Sequence, residues 1–168
     1  EAHHLFNLTY SKIDAVVHPQ SIVHSMVEYI DGSTLAQASP PNMKGPIALA
    51  INHPDRTLGV TRPVDWSTSQ TWTFSPIDSS RFPAVDLARH CGEIGGALPA
   101  IFNAANEVVV EAFIKGSISF VEIIPTVEKI VEHFEASPLP QIRDFADVSA
   151  VEEDARRKTQ LHISKVAQ

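Results

Sequence analysis

The chain has 168 residues, 43 % of them hydrophobic, and a formal net charge of −7 from 20 acidic and 13 basic side chains. That length suits one domain or two small ones, and no apolar run reaches the ~18 residues of a membrane span. The acidic balance argues against a nucleic-acid or anionic-membrane partner, and the single cysteine, Cys91, excludes an internal disulfide and fits a reducing compartment.

Residues 1 to 7 read as the end of a helix, carried by Ala2, Leu5 and Phe6. A start at Glu1 in mid-helix, without an initiator Met, reads as a piece of a longer protein. Asp14 to His18 is a short apolar run, expected as a buried strand closed by Pro19. From Ile22 to Ile30, the β-branched and aromatic Val23, Val27, Tyr29 and Ile30 suit a strand. Asp31-Gly32 is a two-residue turn signal, and Ser33 to Ala38 runs back. The register of such a hairpin is fixed by its turn. Tyr29 is then expected to face Thr34, Val27 to face Ala36, Ser25 to face Ala38, and His24 to face Ser39. One face is small and apolar enough to receive a helix. The other, with Ile22, His24, Met26, Glu28, Leu35 and Gln37, carries the polar groups and the expected site. His24 thereby comes beside Pro40-Pro41-Asn42-Met43, a segment stiffened by two prolines.

Gly45 to His53 reads as a helix with Pro46 in its first turn, ending before Pro54. Residues 54 to 80 hold Pro54, Gly59, Pro63 and Pro76 without periodicity, and read as an ordered connector pinned by Trp66, Trp72 and Phe74. Ala84 to Cys91 is a short helix stopped by Gly92. Leu98 to Lys115 follows the i, i+3, i+4, i+7 rule through Leu98, Ile101, Phe102, Ala105, Val108, Val109, Ala112 and Phe113, with Gly116 as its C-terminal cap. Ser119 and Glu122 form a capping box for the next helix, to about Phe134. Pro125 is expected to kink that helix or shift its start. Ser149 and Glu152 are expected to cap a charged C-terminal helix. The second half thus reads as a helical bundle.

Few residues carry obvious chemistry. His24 can bond a substrate hydroxyl or exchange a proton near neutral pH. A histidine bonded to a backbone carbonyl is the commoner case, and the residues alone leave both readings open. His3, His4, His18 and His53 lack metal-ligand spacing. Gly92, Gly95 and Gly96 do not make a dinucleotide fingerprint. Cys91 reads as a packed small residue rather than a nucleophile. Asn103, Asn106 and Glu107 share one helical face and are expected to dock the bundle against the hairpin domain.

Several short motifs occur in one order: His18-Pro19-Gln20-Ser21-Ile22-Val23-His24-Ser25-Met26-Val27, Asp31-Gly32-Ser33, Leu35-Ala36-Gln37, Pro41-Asn42-Met43, Pro46-Ile47-Ala48, His53-Pro54-Asp55-Arg56, Arg81-Phe82-Pro83 and Asn103-Ala104-Ala105-Asn106-Glu107. In this the chain resembles the 1-deoxy-D-xylulose 5-phosphate reductoisomerase family, over essentially its whole length. The resemblance implies an α+β fold. Residues 1–53 would be the C-terminal portion of a mixed α/β catalytic domain with a β-hairpin, 54–80 a connector and 81–168 a C-terminal helical domain. It implies His24 at the substrate, as a contact and positioning group, with Pro41 and Met43 bordering the pocket near the nicotinamide. It also implies NADPH and a divalent metal (Mg²⁺, Mn²⁺ or Co²⁺), both bound mainly by residues upstream, so that no metal or cofactor ligand is expected here and Glu1 is not one. The implied partner is a sugar-phosphate substrate in a homodimeric, non-mevalonate isoprenoid enzyme of the bacterial cytoplasm or the plastid stroma. This stretch alone would be inactive. The alternative is a non-catalytic interaction or dimerisation module, distinguished by whether upstream sequence carries a dinucleotide-binding unit and an acidic metal triad.

Overall fold

In the computed structural model, which describes residues 2–166, helices and short strands follow one another as an α+β fold. The order is α1 (Ala2–Phe6), β1 (Val16–Val17), β2 (Val23–Glu28), β3 (Thr34–Ala38), α2 (Lys44–Asn52), β4 (Ser75–Pro76), α3 (Ala84–Ile94), α4 (Leu98–Ile114), α5 (Ile123–Glu135) and α6 (Phe145–Val166). Glu1 lies outside the described residues. The chain divides into two compact units, one of residues up to Ile13 and from Asp78 onward, the other Asp14–Ile77.

The helical unit holds the core. Leu98, Ile101, Ala105 and Val109 of α4 are buried as the periodicity demands, with Ala104 beside them. They pack with Val127, Ile130, Val131 and Phe134 of α5 and with Val151, Ala155 and Ile163 of α6. Thr159 is buried too, and its hydroxyl donates to the Ala155 carbonyl at 2.7 Å, so no polar group is left unpaired there. Helix α4 ends in a Schellman cap: Gly116 at φ 74° donates to Phe113 O at 2.9 Å and Ser117 to Ala112 O at 2.9 Å.

Two expectations need correcting in this unit, the end of α3 and the start of α6. Helix α3 does not stop at Gly92; it runs to Ile94 and ends at Gly95, whose φ of 74° takes the left-handed cap. Of the two outcomes expected of Pro125, a kink or a shifted start, the shift is realised. The capping box of Ser119 and Glu122 opens a 3-10 turn, Phe120–Glu122, and α5 starts after it, so Pro125 falls in the first turn. Helix α6 starts at Phe145, not at Ser149. Asp144 Oδ1 accepts from Asp147 N and Asp147 Oδ2 accepts from Arg143 N, both at 3.0 Å, so an acidic pair caps it. Ser149 lies inside and donates back to Phe145 O. Within this unit the Asn103–Glu107 pair has partners of its own. Asn103 Nδ2 donates to Glu107 Oε1 at 3.2 Å, and Arg156 of α6 donates to Glu107 Oε2 at 2.6 Å, which ties α4 to α6.

In the second unit, β2 and β3 form an antiparallel hairpin, but not in the expected register. Glu28 faces Thr34, Val27 faces Leu35, Met26 faces Ala36 and Ser25 faces Gln37. The loop is three residues long, not two. Tyr29 N donates to Ser33 O, Gly32 N donates to Tyr29 O, and Gly32 sits at φ 82° in the last loop position. Asp31 accepts from both the backbone and the hydroxyl of Ser33, which fixes the turn and holds the Asp31 carboxyl below its usual range. The one-residue slip exchanges facing partners, so the expected apolar and polar faces are mixed. The pairing breaks again at His24, where a bulge separates Val23 from Ser25. The expected buried strand at 14–18 is only Val16–Val17, paired with β4 and exposed, because among the described residues no layer covers it. Trp66 does not pin the connector to a core: it is 69 % exposed and its nearest ring is Trp72 at 5.7 Å.

The N-terminal segment is tied to α3 within the helical unit. Arg89 donates to the carbonyls of Tyr10 and Ile13. A Cβ on Gly92 would stand 2.0 Å from the Tyr10 hydroxyl, so the tyrosine ring occupies the place of a side chain. Gly92→Ala must expel that ring. Overpacking of this kind costs about 1–3 kcal/mol, to be seen as a lower Tm. In a Tyr10→Ala background the same substitution should be neutral or stabilising; an equal cost in both backgrounds would refute the contact.

Candidate functional site

The site-bearing unit is held together by His18. Its Nε2 accepts from Ile22 N at 3.1 Å, so the ring proton is on Nδ1, which donates to Thr73 O at 2.9 Å. Phe74 stacks on the same ring at 4.4 Å. Gln20 completes the clamp: its Nε2 donates to Thr73 Oγ1 at 2.9 Å and its Oε1 accepts from Thr73 N at 3.2 Å. Between them Ser21 N donates to His18 O, and Ser21 takes φ 51°, a left-handed conformation uncommon outside glycine. The His-Pro-Gln-Ser run is therefore a backbone turn whose own first side chain bonds the residue that leaves it.

His24 follows one strand residue later. It reaches Ser39, as expected, by a route other than strand register. Its Nε2 donates to Ser39 O at 3.0 Å, and Ser39 N donates to Ile22 O at 2.8 Å. The bulge turns the ring toward the start of the proline segment. The histidine bonds a backbone carbonyl, the commoner of the two sequence readings, and it also lines a cavity.

That cavity has a volume of about 720 Å³. His24, Pro41 and Met43 all line it, and so do Ser21, Ser39 and Asn42. The Asn42 side chain accepts from Lys44 N at 3.0 Å and so caps the start of α2. Pro46, Ala48 and Leu49 of α2 supply an apolar wall. An apolar wall facing a few convergent polar groups is the usual make-up of a small-molecule site. With Nε2 committed to Ser39 O, Nδ1 is the His24 nitrogen left to meet a ligand.

Sequence reasoning missed Ser21, Arg56, Thr57 and Thr61, which also line this cavity. The last three fall in or beside the aperiodic stretch read as a connector. Arg56, charged and next to a helix end, was the available signal. Asn52 at the end of α2 donates to Thr57 Oγ1 at 2.8 Å and so brings this stretch back to the helix.

No group of three or more His, Cys, Asp or Glu side chains is placed to hold a metal ion among the described residues. Nor is any described helix long and apolar enough to cross a membrane. Cys91 lies in the helical core at 1 % exposure, and burial together with the Glu135 charge pushes its thiol up to about 11. A thiol so placed packs and does not attack.

The sequence matches the DXP reductoisomerase C-terminal domain family over residues 38–158. It is 59 % identical over 132 residues to the 1-deoxy-D-xylulose 5-phosphate reductoisomerase of Nocardia farcinica, spanning 79 % of this chain and 34 % of that protein. It is 46 % identical over 168 residues to the enzyme of the same name from Streptomyces coelicolor, spanning 100 % of this chain and 40 % of that protein. The fold matches the Zymomonas mobilis reductoisomerase in complex with NADPH with a TM-score of 0.86 and 39 % identity, covering 96 % of this chain and 42 % of that one. A DOX-P reductoisomerase in complex with NADPH, fosmidomycin and magnesium matches with a TM-score of 0.86 and 32 % identity, over 99 % of this chain and 42 % of the other. The chain thus spans between a third and a half of the length of these relatives.

The raised thiol fixes a testable property of Cys91. The fold favours the neutral form, so its contribution to stability is complete below the ordinary thiol pKa of 9.0 and is lost as pH rises through about 11. At pH 8 the native thiolate population is about a hundredfold below that of a free thiol. A maleimide should therefore label the native chain at least that much more slowly than the urea-unfolded chain; similar rates would place Cys91 outside the core.

Proposed function

The chain belongs to the DXP reductoisomerase C-terminal domain family, and on that footing we propose that it is the carboxy-terminal part of an NADPH-dependent 1-deoxy-D-xylulose 5-phosphate reductoisomerase. The whole enzyme would convert that sugar phosphate to 2-C-methyl-D-erythritol 4-phosphate in non-mevalonate isoprenoid biosynthesis. The observation that carries this reading is the convergence of His24, Pro41 and Met43 on one cavity.

His24 holds and orients a substrate hydroxyl through Nδ1 while Ser39 O fixes the ring. Pro41 gives a rigid wall, and Met43, an adaptable thioether, packs under a ligand that comes and goes. NADPH, when bound, supplies the hydride for the reduction. The described residues of this chain offer no divalent-metal site, so a magnesium, manganese or cobalt ion would be held mainly by residues outside it. The cavity, with Arg56 and several hydroxyls, suits a small phosphorylated substrate better than a macromolecule.

The assembled enzyme is a homodimer in this reading. Val27, Tyr29 and Leu35 of the hairpin are more than half exposed, and an isolated two-stranded hairpin is marginal in water, so further polypeptide or a second copy would cover them. Its place is the bacterial cytoplasm, in keeping with the bacterial relatives.

Two outcomes test this. The isolated 168-residue chain should oxidise no NADPH in the presence of the sugar phosphate, because its described residues form neither a metal-ligand cluster nor a nucleotide fold; turnover by the pure fragment would overturn the assignment. In the full-length enzyme, His24→Ala should lower kcat/KM for the sugar phosphate by about a hundredfold, with the Kd for NADPH within about twofold of the original. Equal loss of both affinities would instead mark His24 as a folding residue.

A further inference from the structure

The cavity that holds His24 has a neighbour of about 550 Å³, and Pro41, Asn42, Val60 and Thr61 line both. Arg56 lines the first and Arg62 the second. No aspartate or glutamate lines either, in a chain with 20 acidic and 13 basic residues. The local charge is the reverse of the global one. Gly59, at φ 75°, turns the chain between the two arginines, so both come from one short loop.

Neither guanidinium has a hydrogen-bond or ion-pair partner among the described residues, whereas Arg143 and Arg156 of the helical unit are engaged by carboxylates. An arginine held for the fold is usually paired. One left free beside a cavity with hydroxyl groups is available to an anion, and the planar fork matches the oxygens of a phosphate. Thr57 and Thr61 place hydroxyls in the same wall. Clefts lined by one sign of charge also concentrate ligands of the opposite sign.

We propose that Arg56 and Arg62 form a phosphate-reading edge, one loop reaching over two adjoining cavities, for a ligand whose reactive end lies at His24. The proposal rests on the functional reading given above. The phosphate has two sources in that reaction: the monoester of the sugar substrate, or the phosphates of NADPH.

The test uses the full-length enzyme with Arg56→Ala, Arg62→Ala and the corresponding lysine variants. KM for the sugar phosphate at saturating NADPH and Kd for NADPH are measured at low and high salt. Each alanine variant should weaken one ligand by about tenfold or more, as loss of a charge-assisted contact does, and flatten the salt dependence of that ligand. Lysine should restore part of the loss, because it keeps the charge without the fork. A change confined to the sugar phosphate assigns the edge to the substrate monoester; one confined to NADPH assigns it to the cofactor. Affinities within about twofold of the original for both ligands would overturn the proposal, as would a joint loss of both with a lower Tm, which would make the arginines structural. A full-length enzyme inactive before any substitution would fail the functional reading itself and this proposal with it; an active one with indifferent arginines would fail this proposal alone.

Discussion

The placement of the cavity depends on one imidazole. His18 has both ring nitrogens engaged by backbone, Nε2 by Ile22 N and Nδ1 by Thr73 O. The two partners lie on opposite sides of a long stretch of chain. The ring therefore sets the exit from the His-Pro-Gln-Ser turn and also anchors the far end of the aperiodic segment. Gln20 repeats the tie to Thr73 with both ends of its amide. Without those bonds, nothing regular in the local backbone fixes where β2 begins, since β1 and β4 pair over only two residues. With them, Ser21 is held at positive φ and His24 leaves the strand at a bulge. Backbone strain of this kind persists only where its surroundings over-determine it.

The two units are stabilised by different means. Among the described residues, every buried hydrophobic residue of the core lies from Cys91 to Ile163. The helical unit thus has the apolar burial that offsets the ordering of its backbone. Residues 14–77 have no fully buried apolar side chain, and they order a hairpin, a helix and a long irregular segment. At about 1–2 kcal/mol of backbone entropy per residue, side-chain-to-backbone bonds do not offset that cost alone. The exposed Val27, Tyr29, Leu35 and Leu58 show where burial is lacking. Binding surfaces often lie in such low-stability segments, and here the segment with no core is the one that bears the cavity.

Much of the helical unit was legible in the sequence because a long 3.6-residue period leaves little choice. Leu98, Ile101, Ala105 and Val109 could not all face solvent. What was misread there was punctuation. Gly92 looked like a stop, but its missing side chain makes room for Tyr10, a contact between distant parts of the chain that no local pattern encodes. Ser149 and Glu152 match a capping box, yet Asp144 and Asp147 compete for the same role five residues earlier and prevail. The hairpin failed more subtly. Asp31-Gly32 serves a two-residue loop or the end of a three-residue one, and nothing in the flanking residues separates them. The nearness of His24 to Ser39 survived that error because a side-chain bond, not strand register, makes it. Of the residues that line the cavity, His24, Pro41 and Met43 had been singled out from their motifs. Arg56, Thr57 and Thr61 were not, since a segment without periodicity offers no face on which to place a residue.

The tautomer of His24 narrows what that residue can do. A carbonyl oxygen only accepts, so the contact with Ser39 O requires the proton on Nε2. A ring that released that proton in a reaction would break its own anchor, and the bulge beneath it would lose the contact that aims the side chain. Proton traffic, if the ring carries any, must pass through Nδ1, which has no such duty. The neutral ring presents a lone pair there, an acceptor for a ligand hydroxyl. The protonated ring presents a second donor, suited to a ligand oxygen that carries negative charge. The position of the side chain is thus held by a backbone atom that does not titrate, and Nδ1 stays open toward the cavity.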